Sequence, residues 1–110
     1  KKGEIFVRVR RSGVMLREEL ERLAAMFPSV GDVRSAGLMG AVEFVKSRSG
    51  KEPDAALARE VFFRARQNGL EAILSGHILR LAPPLNVAAA DLEEGMAILR
   101  RSIEQVTKKG

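Results

Sequence analysis

The chain has 110 residues, 45% of them hydrophobic and 30% charged, with no Cys and one His. Against domains of roughly 100–200 residues this is one domain, residues 1–110, too apolar for a disordered tail and without the ~18-residue apolar run of a membrane span. No disulfide framework, thiolate metal site or His-rich metal site is possible, so no metal is expected, and a cytoplasmic origin fits the absent cysteines.

The net charge of +5 sits at the two ends, +4 over residues 1–11 and +3 over 100–110, with −2 between them. With no Tyr or Trp for base stacking, this pattern reads as solubilising termini, and no nucleic-acid partner is expected. Residues 1–13 can be read in two ways. Ile5, Val7 and Val9 alternate with Phe6, Arg8 and Arg10, as in a strand. Phe6, Val9, Gly13, Leu16, Leu20, Leu23 and Phe27 fall at spacings of 3 and 4, as in one helix interrupted only by Gly13. The run Ile5–Val7 is too short for a secretory signal.

From Val14 to Phe27 the helix is clear, with Glu18 and Arg22 four apart on its outer side and Pro28 ending it. A turn-rich stretch follows, with a short extended piece around Val33. Leu38–Val45 alternates as a strand, and Lys46–Pro53 is a polar loop. Asp54 can cap a second helix carrying Leu57, Val61 and Ala65, which Asn68-Gly69 stops in the left-handed conformation. Strands Leu70–Leu74 and Ile78–Ala82 flank Ser-Gly-His, where a Gly in first place suits a type II′ hairpin. Pro83-Pro84 closes the last strand, and a final helix from about Ala89 to Val106 carries Leu92, Met96, Leu99, Ile103 and Val106. The expected fold is α+β, a small antiparallel sheet of three to four strands with about three helices packed against it.

No constellation makes the chain an enzyme by itself, and no catalytic residue is assigned. The only candidate base, His77, lies in a tight hairpin and reads as a solvated turn residue. Gly37-Leu38-Met39-Gly40 opens a strand, not a helix, so it does not cradle phosphate. Glu93 and Glu94 point about 100° apart on a helix and form no carboxylate pair, and Met26, Met39 and Met96 sit at core spacings. Arg80 stands out because its strand, Ile-Leu-Arg-Leu-Ala-Pro-Pro-Leu, is otherwise apolar. Its guanidinium either snorkels from an edge strand to water or acts as a fork that grips a carboxylate through two parallel hydrogen bonds.

The run Val-Gly-Asp-Val-Arg-Ser-Ala-Gly-Leu-Met-Gly-Ala-Val-Glu-Phe-Val (30–45), Lys-Glu-Pro (51–53), Asn-Gly-Leu (68–70) and Leu-Arg-Leu-Ala-Pro-Pro-Leu (79–85) appear in order at family spacing. With these motifs, residues 14–107 resemble the C-terminal small domain of class III pyridoxal-phosphate aminotransferases, the 4-aminobutyrate, ornithine and acetylornithine group that includes dialkylglycine decarboxylase. The resemblance implies an α+β layer beside a large cofactor domain, and a helix over residues 4–10. It places the family's substrate-carboxylate arginine, in Arg-x-x-Pro-Pro, on Arg80, and gives Arg34 and Glu43 a structural role. It implies no cofactor-binding residue here. The Schiff-base lysine, phosphate loop and pyridine-pairing acid belong to the large domain, and Lys46 and Lys51 match no Schiff-base motif.

This sequence departs from the family pattern in its short Ser-Gly-His connection, in Ala88-Ala89-Ala90 where a capping Ser or Thr is usual, and in Ser35 for a glycine. Together with the lysine-rich ends, these departures suit a domain cut from a larger protein and engineered or evolved for solubility. The expectation is an isolated C-terminal domain, folded but not catalytic alone, that in its parent contributes Arg80 to amino-group transfer. The alternatives are a self-associating homodimer and a split-enzyme subunit whose partner is a large cofactor-binding domain.

Overall fold

A computed structural model describes residues 2–83 and 88–108. The element order is α1 (Lys2–Met26), β1 (Val30–Ala36), β2 (Met39–Phe44), α2 (Ala55–Gln67), β3 (Ile73–Ser75), β4 (Ile78–Leu81) and α3 (Ala89–Thr107). The four strands form one antiparallel sheet in the order β1-β2-β4-β3, and three helices accompany it, the α+β architecture expected.

The ambiguity over residues 4–10 resolves as helix, because α1 runs unbroken from Lys2. Extending an existing helix adds one hydrogen bond per residue without a new nucleus, whereas a strand would have needed a free sheet edge. Phe6 and Val9, the first positions of the apolar stripe, lie outside the described side chains. Gly13, the residue that seemed to spoil the helix, is where the β1–β2 turn lies closest. A Cβ there would stand 2.8 Å from the carbonyl oxygen of Gly37. Beyond it Leu16, Leu20 and Leu23 face the core. Glu18 is not the partner of Arg22, which instead bonds Glu19 one position nearer, at 2.5 Å.

The stretch expected to be mostly turn with a short extended piece is a full seven-residue strand, β1. Its Gly, Asp and Ser residues disguise it, and a register shift between Val30 and Asp32 kinks it at Gly31. A side chain on Gly31 would collide with Val45, whose Cγ1 would lie 2.6 Å from the added Cβ.

Helix α2 starts and stops as expected. The Asp54 carboxylate accepts from the Leu57 N–H at 3.0 Å. At the other end Leu70 N–H donates to Ala65 O and Gly69 N–H to Arg66 O, the paired bonds of a Schellman motif, with Gly69 at φ +103°. That motif ties Leu70 to the helix, so β3 begins at Ile73 rather than Leu70 and is three residues long. The loop between β3 and β4 is Gly76-His77, and the positive φ falls on Gly76 alone, as a type II′ turn requires. Strand β4 ends at Leu81, one residue before the expected Ala82; Pro84 and Leu85 lie outside the described residues.

All three helices pack on one face of the sheet. Val30, Val42, Phe44, Leu79 and Leu81 point into that layer from the strands. Leu16, Leu20, Leu23, Ala58, Val61, Leu92, Leu99 and Ile103 meet them from the helices. Burial of these side chains from water is the main favourable term holding the layers together. Of the three methionines expected in the core, Met96 is buried, but Met26 and Met39 are 50% and 65% exposed. Met26 is the last residue of α1, and Met39 belongs to the opposite pleat of β2 from Gly40, Val42 and Phe44.

Candidate functional site

The face of the sheet away from the helices carries the charged side chains of the strands. Side chains alternate along a strand, so the register assigns each residue to a face. One row across the open face reads Arg34, Ala41, Arg80, Ile73, and the next reads Asp32, Glu43, Ile78, Ser75. Arg34 and Arg80 flank β2 two strand spacings apart, roughly 10 Å between backbones.

Arg80 is exposed and makes no ion pair or side-chain hydrogen bond with the described residues. The edge-strand position expected of a snorkelling Arg80 is corrected by the sheet order: β4 is an interior strand, paired with β2 at Ala41 and with β3 at Ile73. Among the described residues other arginines without an ion pair, such as Arg17 and Arg59, ride on helix surfaces, whereas Arg80 stands in an open hollow of about 360 Å³. Met39, Ala41, Ile73 and Ala82 line that hollow with it, Met39 and Ile73 being 65% and 57% exposed. A guanidinium at an apolar surface with unspent donors can take a bidentate anion through two parallel hydrogen bonds.

Arg34, by contrast, is engaged. Its Nε lies 3.2 Å from Asp32 Oδ2 and its Nη2 3.4 Å from Glu43 Oε2. The other oxygen of Glu43, Oε1, lies 3.1 Å from His77 Nε2. The solvated turn residue expected at His77 is therefore a half-buried one, with its side chain 27% exposed and bound to a carboxylate on the neighbouring strand. Sequence spacing did not reveal this link, because Glu43 and His77 are 34 residues apart and meet only through the β2–β4 pairing. Glu93 and Glu94 are exposed on α3, the solvated face expected of them.

Lys46 and Lys51, which match no Schiff-base motif, are both exposed in the turn after β2. Lys46 Nζ lies 3.8 Å from Glu52, and the Lys46 N–H donates to the Glu52 carbonyl, which closes the loop on itself. Neither fits the anchor of an aromatic aldehyde cofactor, which needs a lysine amine in a desolvated pocket. Among the described residues no cluster of three or more His, Cys, Asp or Glu could hold a metal, and no helix is long and apolar enough to cross a membrane.

A family model described as Aminotransferase class-III matches residues 1–103. Leucine/methionine racemase of Thermococcus litoralis is 36% identical over 104 residues, covering 94% of this chain and 24% of the racemase. The 4-aminobutyrate aminotransferase of Escherichia coli is 32% identical over 96 residues, covering 84% of this chain and 22% of that enzyme. The omega transaminase of Pseudomonas jessenii in complex with PMP superposes with a TM-score of 0.89 at 26% identity, over 97% of this chain and 24% of that one. The chain thus spans about a quarter of the length of the proteins it matches.

Proposed function

Because this chain belongs to the class-III aminotransferase family, we propose that it is the small-domain portion of such an enzyme, one domain over residues 1–110 that binds the substrate carboxylate through Arg80 and is not catalytic alone. The observation that carries this reading is the free guanidinium of Arg80 beside Met39 and Ile73 on the open sheet face. The two relatives support a carboxylate grip without fixing the reaction. One is named as a racemase of leucine and methionine and the other as an aminotransferase of 4-aminobutyrate, and all three molecules carry a carboxylate on an aliphatic chain.

Pyridoxal phosphate, when bound in this family, supplies the electron sink for bonds broken at the amine-bearing carbon. Among the described residues, Lys46 and Lys51 do not fit as its anchor, which supports a large cofactor-binding domain as the partner that covers the open face. The second occupant to weigh is another copy of this chain, in a homodimer. The exposed Met39 and Ile73 favour some cover, but a face-to-face pair would bring two sets of Arg34 and Arg80 together. Like charges opposed at an interface cost several kcal/mol, which favours the cofactor domain. The two-residue hairpin and the uncapped Ala88 at the start of α3 support a domain engineered out of a longer enzyme.

The test is a chimaera in which this chain replaces the matching segment of the Escherichia coli 4-aminobutyrate aminotransferase, assayed with and without Arg80→Leu. The expected result is that the variant raises KM for the carboxylate-bearing amine roughly ten- to hundredfold, the scale of a charged hydrogen-bonded contact, and leaves a carboxylate-free amine unaffected. An equal effect on both amines refutes the assignment. Turnover by the purified 110-residue chain with pyridoxal phosphate refutes the claim that it is not catalytic alone.

A further inference from the structure

The register places the carboxylate of Glu43 within reach of Arg80. Arg80 pairs with Ala41, and Glu43 is two residues along the same strand on the same open face. Such diagonal neighbours have backbones about 7–8 Å apart, a gap that two long side chains span. A glutamate so placed would ordinarily close an ion pair with the arginine and use up its donors. Here both carboxylate oxygens are already taken, Oε1 by His77 Nε2 at 3.1 Å and Oε2 by Arg34 Nη2 at 3.4 Å. The Glu43 side chain is 23% exposed, so these partners hold it partly out of water.

We propose that His77 and Arg34 are positioning residues that restrain Glu43 and so keep the guanidinium of Arg80 free for an incoming carboxylate. The inference rests on the reading of Arg80 given above. It assigns a purpose to the short hairpin, since the Gly76-His77 turn brings an imidazole to the end of β2, where His77 O also accepts the Phe44 N–H at 2.9 Å. His77 is the residue to perturb. It is neither a strand residue nor part of the core, so its replacement removes a hydrogen-bond partner of Glu43 without touching the packing of the sheet.

The experiment is a double-mutant cycle on the 110-residue chain at pH 8 and low salt, using H77A, E43Q and H77A with E43Q. Two readouts follow Arg80 by NMR: the exchange rate of its Nε–H, and its shift on titration with butyrate as probe. In the parent chain the Arg80 Nε–H should exchange as a free arginine does, while that of Arg34 is slowed. In H77A the Arg80 proton should slow and butyrate binding weaken roughly two- to fivefold, the size of an exposed ion pair. In the E43Q background H77A should change neither, because the competing carboxylate is gone. His77→Gln, which keeps a donor for Glu43, should behave as the parent.

An H77A effect that persists in the E43Q background, or no H77A effect while the parent binds butyrate, overturns the restraint of Glu43 and leaves the carboxylate grip standing. Absence of any butyrate response at Arg80 in all variants overturns the carboxylate grip itself, whatever the exchange rates show. The amide spectrum of each variant reports whether the sheet is intact.

Discussion

The two faces of this sheet are built by opposite rules. Toward the helices, Val42, Phe44, Leu79 and Leu81 are buried, and nearly every neighbour is aliphatic. On the open side the same two strands present Met39, Ala41, Glu43, Ile78 and Arg80, an apolar floor crossed by charges that are partly paired and partly free. Stability resides on the first face and the recognition proposed for Arg80 on the second, because burying aliphatic side chains yields free energy without direction while a guanidinium yields direction with little free energy. Substitutions should therefore separate cleanly by pleat, even between adjacent residues of one strand.

The largest effect should come from the inner face. Leu79→Ala removes a fully buried side chain from the centre of the core, next in sequence to Arg80. The expected loss is about 2–5 kcal/mol, measured by urea denaturation. A loss below about 1 kcal/mol would mean that the helices do not pack on this face as described.

Gly13→Ala comes next and tests the place where α1 meets the sheet's first turn. In an open helix this change ordinarily stabilises by about 1 kcal/mol. Here the new methyl would lie 2.8 Å from the Gly37 carbonyl oxygen, part of the backbone, so the sign should reverse to a destabilisation of about 1–3 kcal/mol. Thermal melting decides it, and a raised Tm would show that the turn gives way freely.

These two positions also mark what the sequence disclosed. The strand that carries Leu79 was legible, because its apolar run lies between a tight turn and Pro83-Pro84. The Asp54 cap, the Asn68-Gly69 stop and the two-residue hairpin were legible for the same reason, since each is a local rule acting within five residues. Gly13 was not, because its purpose is a contact with Gly37 made only after folding. Strand β1 was largely hidden behind turn-forming residues, since what makes it a strand is pairing with β2 rather than its own composition. Arg80 stood out by being charged in an apolar run, and its likeness to a family motif gave it a role. The Glu43–His77 link and the Arg48 guanidinium, which donates to the carbonyls of Ala24 and Phe27 at the end of α1, are long-range polar contacts with no periodic signal.

Arg48→Ala tests one of those hidden contacts, and it belongs to neither face of the sheet. Helix α1 ends at Met26 without a basic residue in its last turn, so the Arg48 side chain, some twenty residues on, satisfies carbonyls that the helix itself leaves open. Its removal should cost about 1 kcal/mol in urea denaturation and raise hydrogen exchange at the end of α1 more than in the sheet. Equal protection at both places would assign Arg48 to solvent.

The smallest effect on stability should be that of Arg80→Leu, and its smallness is the point. The side chain is exposed, unpaired among the described residues and flanked by Met39, Ala41 and Ile73, so its loss breaks no ion pair and leaves no buried group unsatisfied. Surface changes of this kind fall within about 0.5 kcal/mol. A leucine on this strand also suits an apolar hollow better than a guanidinium does, so a slight gain in Tm would agree with the same account. A loss above about 1 kcal/mol would show that Arg80 holds the sheet together through a partner, and the free guanidinium proposed for substrate would then be spent on the fold. Near-silence in denaturation, set beside a large change in carboxylate recognition in the chimaera, is the signature of a residue retained for function at the edge of a core that does not need it.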